Sequence, residues 1–401
     1  MGLPAEQGAR AAPDCPNCGG PALREFYRVD DIPVSSNVLM ESRAEALAFP
    51  RRDLRLGFCA RCGFIANTAF DPAAQAISDR YEETQGFSPT FSTYARQLAE
   101  RIVQRHGLKG KRVLEIGCGK GEFLELLCEA GMAGGVGIDP AWMPGRGRPE
   151  FSGRLTYLRE HYSRKHAAAT GDLVCCRHTL EHVHATREFL AELRAGIGAR
   201  RDVVVVFELP DVLRVLREGA FWDIYYEHCS YFSPAALEAV FAASGFRVTE
   251  LWLEYDGQYL LIAAQPAEGP APPRRPLDGA VSEQAALVTA FERGVAAAIA
   301  RWRQLLAAPP AGGGCTVIWG AGSKGVAFLT TLGAGSVVEA AVDVNPFKQG
   351  RFMPGTGQRV LAPAELAALS PGRVIVMNPV YVPEIGAQLR SLGVAAELLA
   401  V

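Results

Sequence analysis

Short apolar runs bounded by glycine or charge recur through the middle of the chain, and stretches with apolar residues three and four apart stand between them. The run at 112–116 reads as a buried parallel strand, the glycines after it as a tight turn, and 122–129 as the helix that follows. A second short strand ends in Asp139. Further strands are expected at 171–176, 202–207, 246–252 and 259–264, the last two forming a hairpin. Strands alternating with helices imply a parallel sheet. Residues 265–276, rich in proline and small side chains, read as a linker, and 281–307 as one amphipathic helix. Glycines up to Gly314 reset the chain before a second βαβ pattern at 315–401. At the front, residues 1 to about 13 are expected to fray, 14–71 to form a compact module, and 72–107 a helical approach to the first strand.

Composition narrows the classes. The chain has 401 residues, enough for two or three domains, and 49% are hydrophobic, enough for several cores. A formal net charge of −2 gives no reason to expect nucleic acid or an anionic membrane as partner. With no apolar run long enough to span a bilayer and no signal-type segment, the expected location is cytoplasmic. Four of the ten cysteines form two pairs, Cys15-Pro-Asn-Cys18 and Cys59-Ala-Arg-Cys62, each followed by glycine. In a reducing compartment two such knuckles point to metal, and four soft ligands suit a closed, structural Zn²⁺.

The chemistry gathers at loops. Glu115-Ile-Gly117-Cys-Gly119-Lys-Gly121 is spaced differently from the G-x-G-x-x-G of dinucleotide binders. An acid just before the first glycine repels a pyrophosphate but suits a sulfonium or an ammonium. Asp139 stands where a ribose diol is held, with Pro140 after it. The loop therefore resembles the S-adenosylmethionine (SAM) loop of class I methyltransferases, with Glu115, Gly117, Gly119, Gly121, Asp139, Pro140 and His178 as expected cofactor-binding residues. His178-Thr-Leu-Glu181-His182 matches H-x-x-E-H of zinc proteases. It follows a strand, however, and so falls on a loop at the carboxyl edge of the sheet, not on a helix. Tyr225-Tyr226-Glu227-His228 sets an imidazole beside a carboxylate and phenols, a set able to move a proton and steady developing negative charge. A second loop, Gly320-Ala-Gly322-Ser-Lys324-Gly325, fits G-x-G-x-x-G with Asp343 at the ribose-acid spacing. On motif alone it is an NAD site; Lys324 and Lys348 also suit a bound diphosphate.

Zinc knuckles, a SAM domain, Tyr-x-Glu-His and a second Rossmann-like unit, in this order over about residues 14–401, resemble the C-methyltransferases of deoxysugar biosynthesis. These enzymes methylate nucleotide-linked keto sugars at carbon. The resemblance implies an α/β fold: a class I methyltransferase Rossmann-like domain, a small N-terminal zinc-binding domain and a second C-terminal Rossmann-like domain. The implied boundaries are 14–71 (zinc), 72–265 (methyltransferase), 266–310 (linker and helix) and 311–401 (substrate). It implies catalytic roles for His228, Glu227, Tyr225 and His182, with Tyr81 from a segment lying over the active site. His228 would be the base, oriented by Glu227. Substrate contacts are expected from Tyr226, Gly320, Gly322, Lys324, Asp343, Asn345, Lys348 and Asn378, with the diphosphate toward Lys324. The expected cofactors are SAM and structural Zn²⁺; the expected partner is a small molecule, a nucleotide sugar, in a monomer or homodimer. The stretch 81–93 departs from the family's Tyr- and Ser-rich pattern, which leaves a non-sugar natural-product intermediate open as acceptor.

Overall fold

The computed structural model describes residues 14–75, 80–270 and 277–401, so the expected frayed start and the last six residues of the 265–276 linker lie outside the described residues. Strands β1 (Arg24–Pro33), β2 (Arg51–Phe58) and β3 (Ile65–Asn67) form an antiparallel sheet beside the cysteine pairs. In the central domain come β4 (Arg112–Ile116), β5 (Gly134–Ile138), β6 (Leu155–Leu158), β7 (Leu173–Arg177) and β8 (Val204–Pro210). The two-residue strand β9 (Ser230–Tyr231) leaves that domain and pairs with β3, Ile65 opposite Tyr231. β10 (Phe246–Glu254) and β11 (Tyr259–Pro266) are the expected hairpin.

The central sheet runs β6-β5-β4-β7-β8-β11-β10, with β11 alone reversed. In chain order within the sheet this is 3-2-1-4-5-7-6, the class I methyltransferase arrangement. It puts the loops after β4 and β7 side by side at the switch point, where ligands bind in such sheets. The last domain holds β12 (Thr316–Trp319), β13 (Val338–Val342), β14 (Val360–Leu361), β15 (Arg373–Val376) and β16 (Glu397–Ala400), all parallel, in the order β14-β13-β12-β15-β16. It is a second Rossmann-like unit.

The helix Leu277–Ala307 is more than a connector. Phe291 meets Phe26 and Tyr27 of β1 edge-on, and Trp302 meets Phe328 of the C-terminal domain in the same manner. Gln284 donates to the carbonyl of Gly63 in the second knuckle. The helix thus shares one apolar core with the first and last domains. Among the described residues no helix is long and apolar enough to cross a membrane.

Candidate functional site

A cavity of about 920 Å³ runs between the central and C-terminal domains and reaches both glycine loops. Gly117, Gly119, Asp139 and Pro140 line one end; Gly320, Gly322, Asp343 and Lys348 line the other; Tyr225, His182 and His228 stand between.

The donor end begins at β4. Gly117 sits at φ +71°, and a Cβ there would come within 1.8 Å of Thr179 Oγ1, so only glycine lets the loops after β4 and β7 touch. Gly121 caps the helix Glu122–Glu129 at φ +94° and packs on Tyr157 without lining the cavity. Asp139 accepts from the N–H of Gly119 (2.9 Å) and of Ala141 (2.7 Å), which fixes its carboxylate against the loop. Glu115 is buried on the cavity wall, and its Oε2 has no hydrogen-bond partner. Burial holds its acid up to about 8; Arg177 pulls it down and Asp139 pushes it further up. Glu83, pushed up by burial to about 7 against the pull of Lys120, and Asp139, also raised by burial, stand close by. Buried carboxylates that repel one another make a site suited to a cation and hostile to a diphosphate. That donor set fits SAM, with its sulfonium and ammonium.

Tyr81 bridges to Val38, and the strap that follows it lines the cavity from Glu83 to Ser88. Lys120 Nζ donates to the carbonyls of Tyr81 (2.7 Å) and Ala141 (2.8 Å), Arg146 pairs with Glu82, and Asn345 Nδ2 donates to Glu82 (2.9 Å) and to Thr84 O. Asn345 is therefore a buried brace for the strap and not part of the cavity wall, a correction to its expected substrate contact. Its side chain was free in the sequence; the strap consumes it.

The Tyr-x-Glu-His loop is anchored from both sides. Phe221 stacks on Phe328 (6.0 Å, 11°) and Trp222 meets Trp302, while β9 ties the far end to the N-terminal sheet. Tyr226 is fully buried against Phe70, its hydroxyl accepting from Asp71 N (2.8 Å), so it packs the loop and does not face the substrate space as expected. Glu227 differs from expectation too. It accepts from Ser35 Oγ (3.0 Å), Ser36 N (3.0 Å) and Ser36 Oγ (2.7 Å), latching the loop to the N-terminal domain, where the sequence reading had it orienting His228. His228 is instead set by rings: Tyr225 at 4.1 Å and His182 at 4.8 Å, edge-on. Burial drives the His228 imidazole well below its usual range, helped by His182, His178 and Lys324, so its lone pair is free at neutral pH. Burial also keeps Tyr225 protonated, as a hydrogen-bond donor.

His182 ends a 3-10 turn, Leu180–His182, after β7, which rules out the helical geometry of the zinc-protease motif. His178, at φ +48°, lies on the wall 3.6 Å from Glu181 Oε1 and 3.5 Å from Glu208 Oε1. Burial opposes its charge, but those carboxylates outweigh it and lift the imidazole to about 9.

At the second loop Asp343 accepts from Ala321 N (3.0 Å) and Asn345 N (2.9 Å), repeating what Asp139 does at the first, and lies 3.8 Å from Lys348 Nζ. Lys324 points the other way. Its ammonium pairs with Asp223 (3.0 Å), which also binds Arg214, and donates to Gln258 (3.2 Å). That ion pair compensates the charge expected to meet a diphosphate, and it stands toward His228. Asn378 lines the cavity with its amide paired to Gln258 in both directions (2.9 Å each). Arg214, Asp223 and Gln258 were missed in the sequence because no local spacing marks them; they meet only through the fold.

Outside the cavity the four knuckle cysteines converge, with Cys15 Sγ 3.8 Å from Cys62 Sγ and Cys18 Sγ 3.7 Å from Cys59 Sγ. A tetrahedron with Zn–S bonds of about 2.3 Å has S···S edges of about 3.8 Å. The four thiols therefore fit a metal held entirely by protein.

The chain matches the description of a methyltransferase domain over residues 91–251 and of a C-methyltransferase C-terminal domain over residues 279–396. It is 26% identical over 396 residues to C-methyltransferase NovU of Streptomyces niveus, covering 94% of this chain and 92% of that protein. A mitochondrial ubiquinone biosynthesis O-methyltransferase of Schizosaccharomyces pombe is 32% identical over 120 residues, 28% of this chain and 44% of that protein. Among solved structures, 1,6-didemethyltoxoflavin-N1-methyltransferase of Burkholderia thailandensis aligns with a TM-score of 0.35 and 17% identity, over 45% of this chain and 82% of that one.

Proposed function

We propose that this SAM-dependent C-methyltransferase acts on a keto-deoxysugar carried by a nucleoside diphosphate, adding the methyl group to a carbon next to the ketone. One observation carries the reading: a single cavity joins a cation-seeking glycine loop to a second glycine loop, with a neutral, buried histidine between them.

A ketone acidifies the adjacent C–H, and His228 takes that proton. Tyr225 and His182 donate to the enolate oxygen, and Lys324, its charge balanced by Asp223, lines the same cavity. Glu115, Gly117, Gly119 and Asp139 hold SAM, which supplies an electrophilic methyl group when bound. The strap over the cavity excludes water from the carbanion. Gly320, Gly322, Asp343 and Lys348 receive the nucleotide end of the acceptor. The four cysteines hold structural Zn²⁺, which keeps the N-terminal sheet, and through β9 and Glu227 the His228 loop, in register. The protein is expected to work in the cytoplasm.

The test is product structure. Incubation with methyl-¹³C SAM and nucleoside-diphosphate 4-keto sugars should give a ¹³C resonance in the alkyl methyl region, as for a methyl bonded to a ring carbon. A methoxy resonance, or methylation of no nucleotide sugar, overturns the reading.

A further inference from the structure

Glu181 is the buried charge that the proposed reaction leaves unused. It is 2% exposed, lines the cavity, and neither carboxylate oxygen has a hydrogen-bond partner. Among the described residues its charged neighbour within 4 Å is His178, whose Nδ1 is 3.6 Å from Oε1. His178, kept protonated in part by this carboxylate, balances its charge, but both oxygens still lack a hydrogen bond, and a buried carboxylate so placed gains from a further partner. Beside it stand His182 and His228, and one ligand atom from each of the three lies within 4.8 Å of the others. Two further contacts hold the elements together: Cys229 Sγ on the carbonyl of Glu181 (3.6 Å) and Ser230 Oγ on the carbonyl of Val183 (2.7 Å). The distance between the two histidine-bearing loops is thus set without any ion.

We propose that Glu181, His182 and His228 form a second metal site, for a divalent transition cation, open to the cavity. Two imidazoles and a carboxylate with free positions beyond them are the ligand set of catalytic Zn²⁺ and of the related Fe²⁺ triads. Bonds of about 2.0–2.2 Å put tetrahedral ligand atoms about 3.3–3.5 Å apart, so the side chains close by up to roughly 1.4 Å on binding. This site differs in kind from the four-cysteine cluster, which leaves no open position. Its consequence for turnover rests on the proposed role of His228: a lone pair given to a cation cannot take a proton. Cation and acceptor then compete for the same space.

The test titrates Co²⁺ into full-length protein whose cysteine cluster has first been filled with Zn²⁺, reading stoichiometry calorimetrically and the visible spectrum. One further equivalent is expected, with a ligand-field spectrum lacking the intense thiolate charge-transfer band. Glu181→Gln and His182→Gln, made separately so that either alone suffices, should each lose that equivalent while keeping the cluster Zn²⁺ and the wild-type melting temperature. No further equivalent in the wild type, or one that survives in both variants, overturns the site. In turnover assays Co²⁺ should raise KM for the acceptor and leave kcat unchanged. Acceleration by Co²⁺ would keep the site and overturn the role of His228 as base.

Discussion

Replacing Glu115 with glutamine isolates the charge that the donor end of the cavity offers a ligand. In the ligand-free protein burial holds this acid up to about 8, with Arg177 opposing and Asp139 reinforcing the shift. A sulfonium or ammonium beside it favours the ionised form, so binding should expel a proton. The binding-competent fraction is about one-eleventh at pH 7 and about ten-elevenths at pH 9, and apparent affinity scales with that fraction. SAM should therefore bind roughly tenfold tighter to the wild type at pH 9 than at pH 7, relative to Glu115→Gln at the same pH. Taking the ratio to the variant cancels titration of the ligand's own amino group, which falls in the same window. Calorimetry in buffers of different ionisation enthalpy would count the released proton directly. The sign also applies to folding. The unfolded chain gives up this proton first, so stability of the ligand-free protein should fall as pH rises from the ordinary carboxylate range to about 8. A wild-type to variant ratio that stays flat between pH 7 and 9 refutes the placement of Glu115 against the donor's charge.

Cys59→Ser should lower bound zinc, measured by atomic emission, from one equivalent toward none and lower the melting temperature, because a structural site couples metal to folding; full retention of zinc contradicts the four-thiolate site. Gly117→Ala forces a side chain at φ +71° into Thr179, so it should cost more than about 1 kcal/mol in denaturant unfolding and weaken SAM binding at least tenfold. Unchanged stability there would mean that the two loops do not touch as described. Glu227→Gln should lose about 1.5–3 kcal/mol of charge-assisted bonding, and a double-mutant cycle with Ser35→Ala should show coupling of about 0.5–3 kcal/mol. Zero coupling would break the latch between the first domain and the His228 loop.

The central sheet was legible because its signals are local. Residues 112–116 and 122–129 became the strand Arg112–Ile116 and the helix Glu122–Glu129, since a short strand built on Val113, Leu114 and Ile116 and a glycine turn need no distant partner. Strand ends were less so: 202–207 became Val204–Pro210, extended through Glu208, whose buried carboxylate is neutralised by Arg177 and so survives inside a sheet. The helix expected at 281–307 starts earlier, at Leu277, because its first turn packs on the shared core of the outer domains. At the site, Gly117, Gly119, Asp139, Gly320, Gly322 and Asp343 line the cavity, whereas Gly121 does not. Glu227, Tyr226 and Asn345, placed otherwise than expected, and Lys324, which lines the cavity but pairs with Asp223, all have partners more than 60 residues away, in Ser36, Asp71, Glu82 and Asp223. Sequence supplied their chemistry; only the fold decides which neighbour consumes it.

The most direct measurement is exchange of the acceptor's α-hydrogen with solvent. In D₂O, with S-adenosylhomocysteine in place of SAM so that no methyl can move, a nucleoside-diphosphate 4-keto sugar should take up deuterium at the carbon to be methylated. His228→Gln should slow that uptake by about 10²–10⁴-fold, the usual range for losing a positioned proton-transfer group. Uptake at the wild-type rate in the variant would contradict the assignment of His228 as the base.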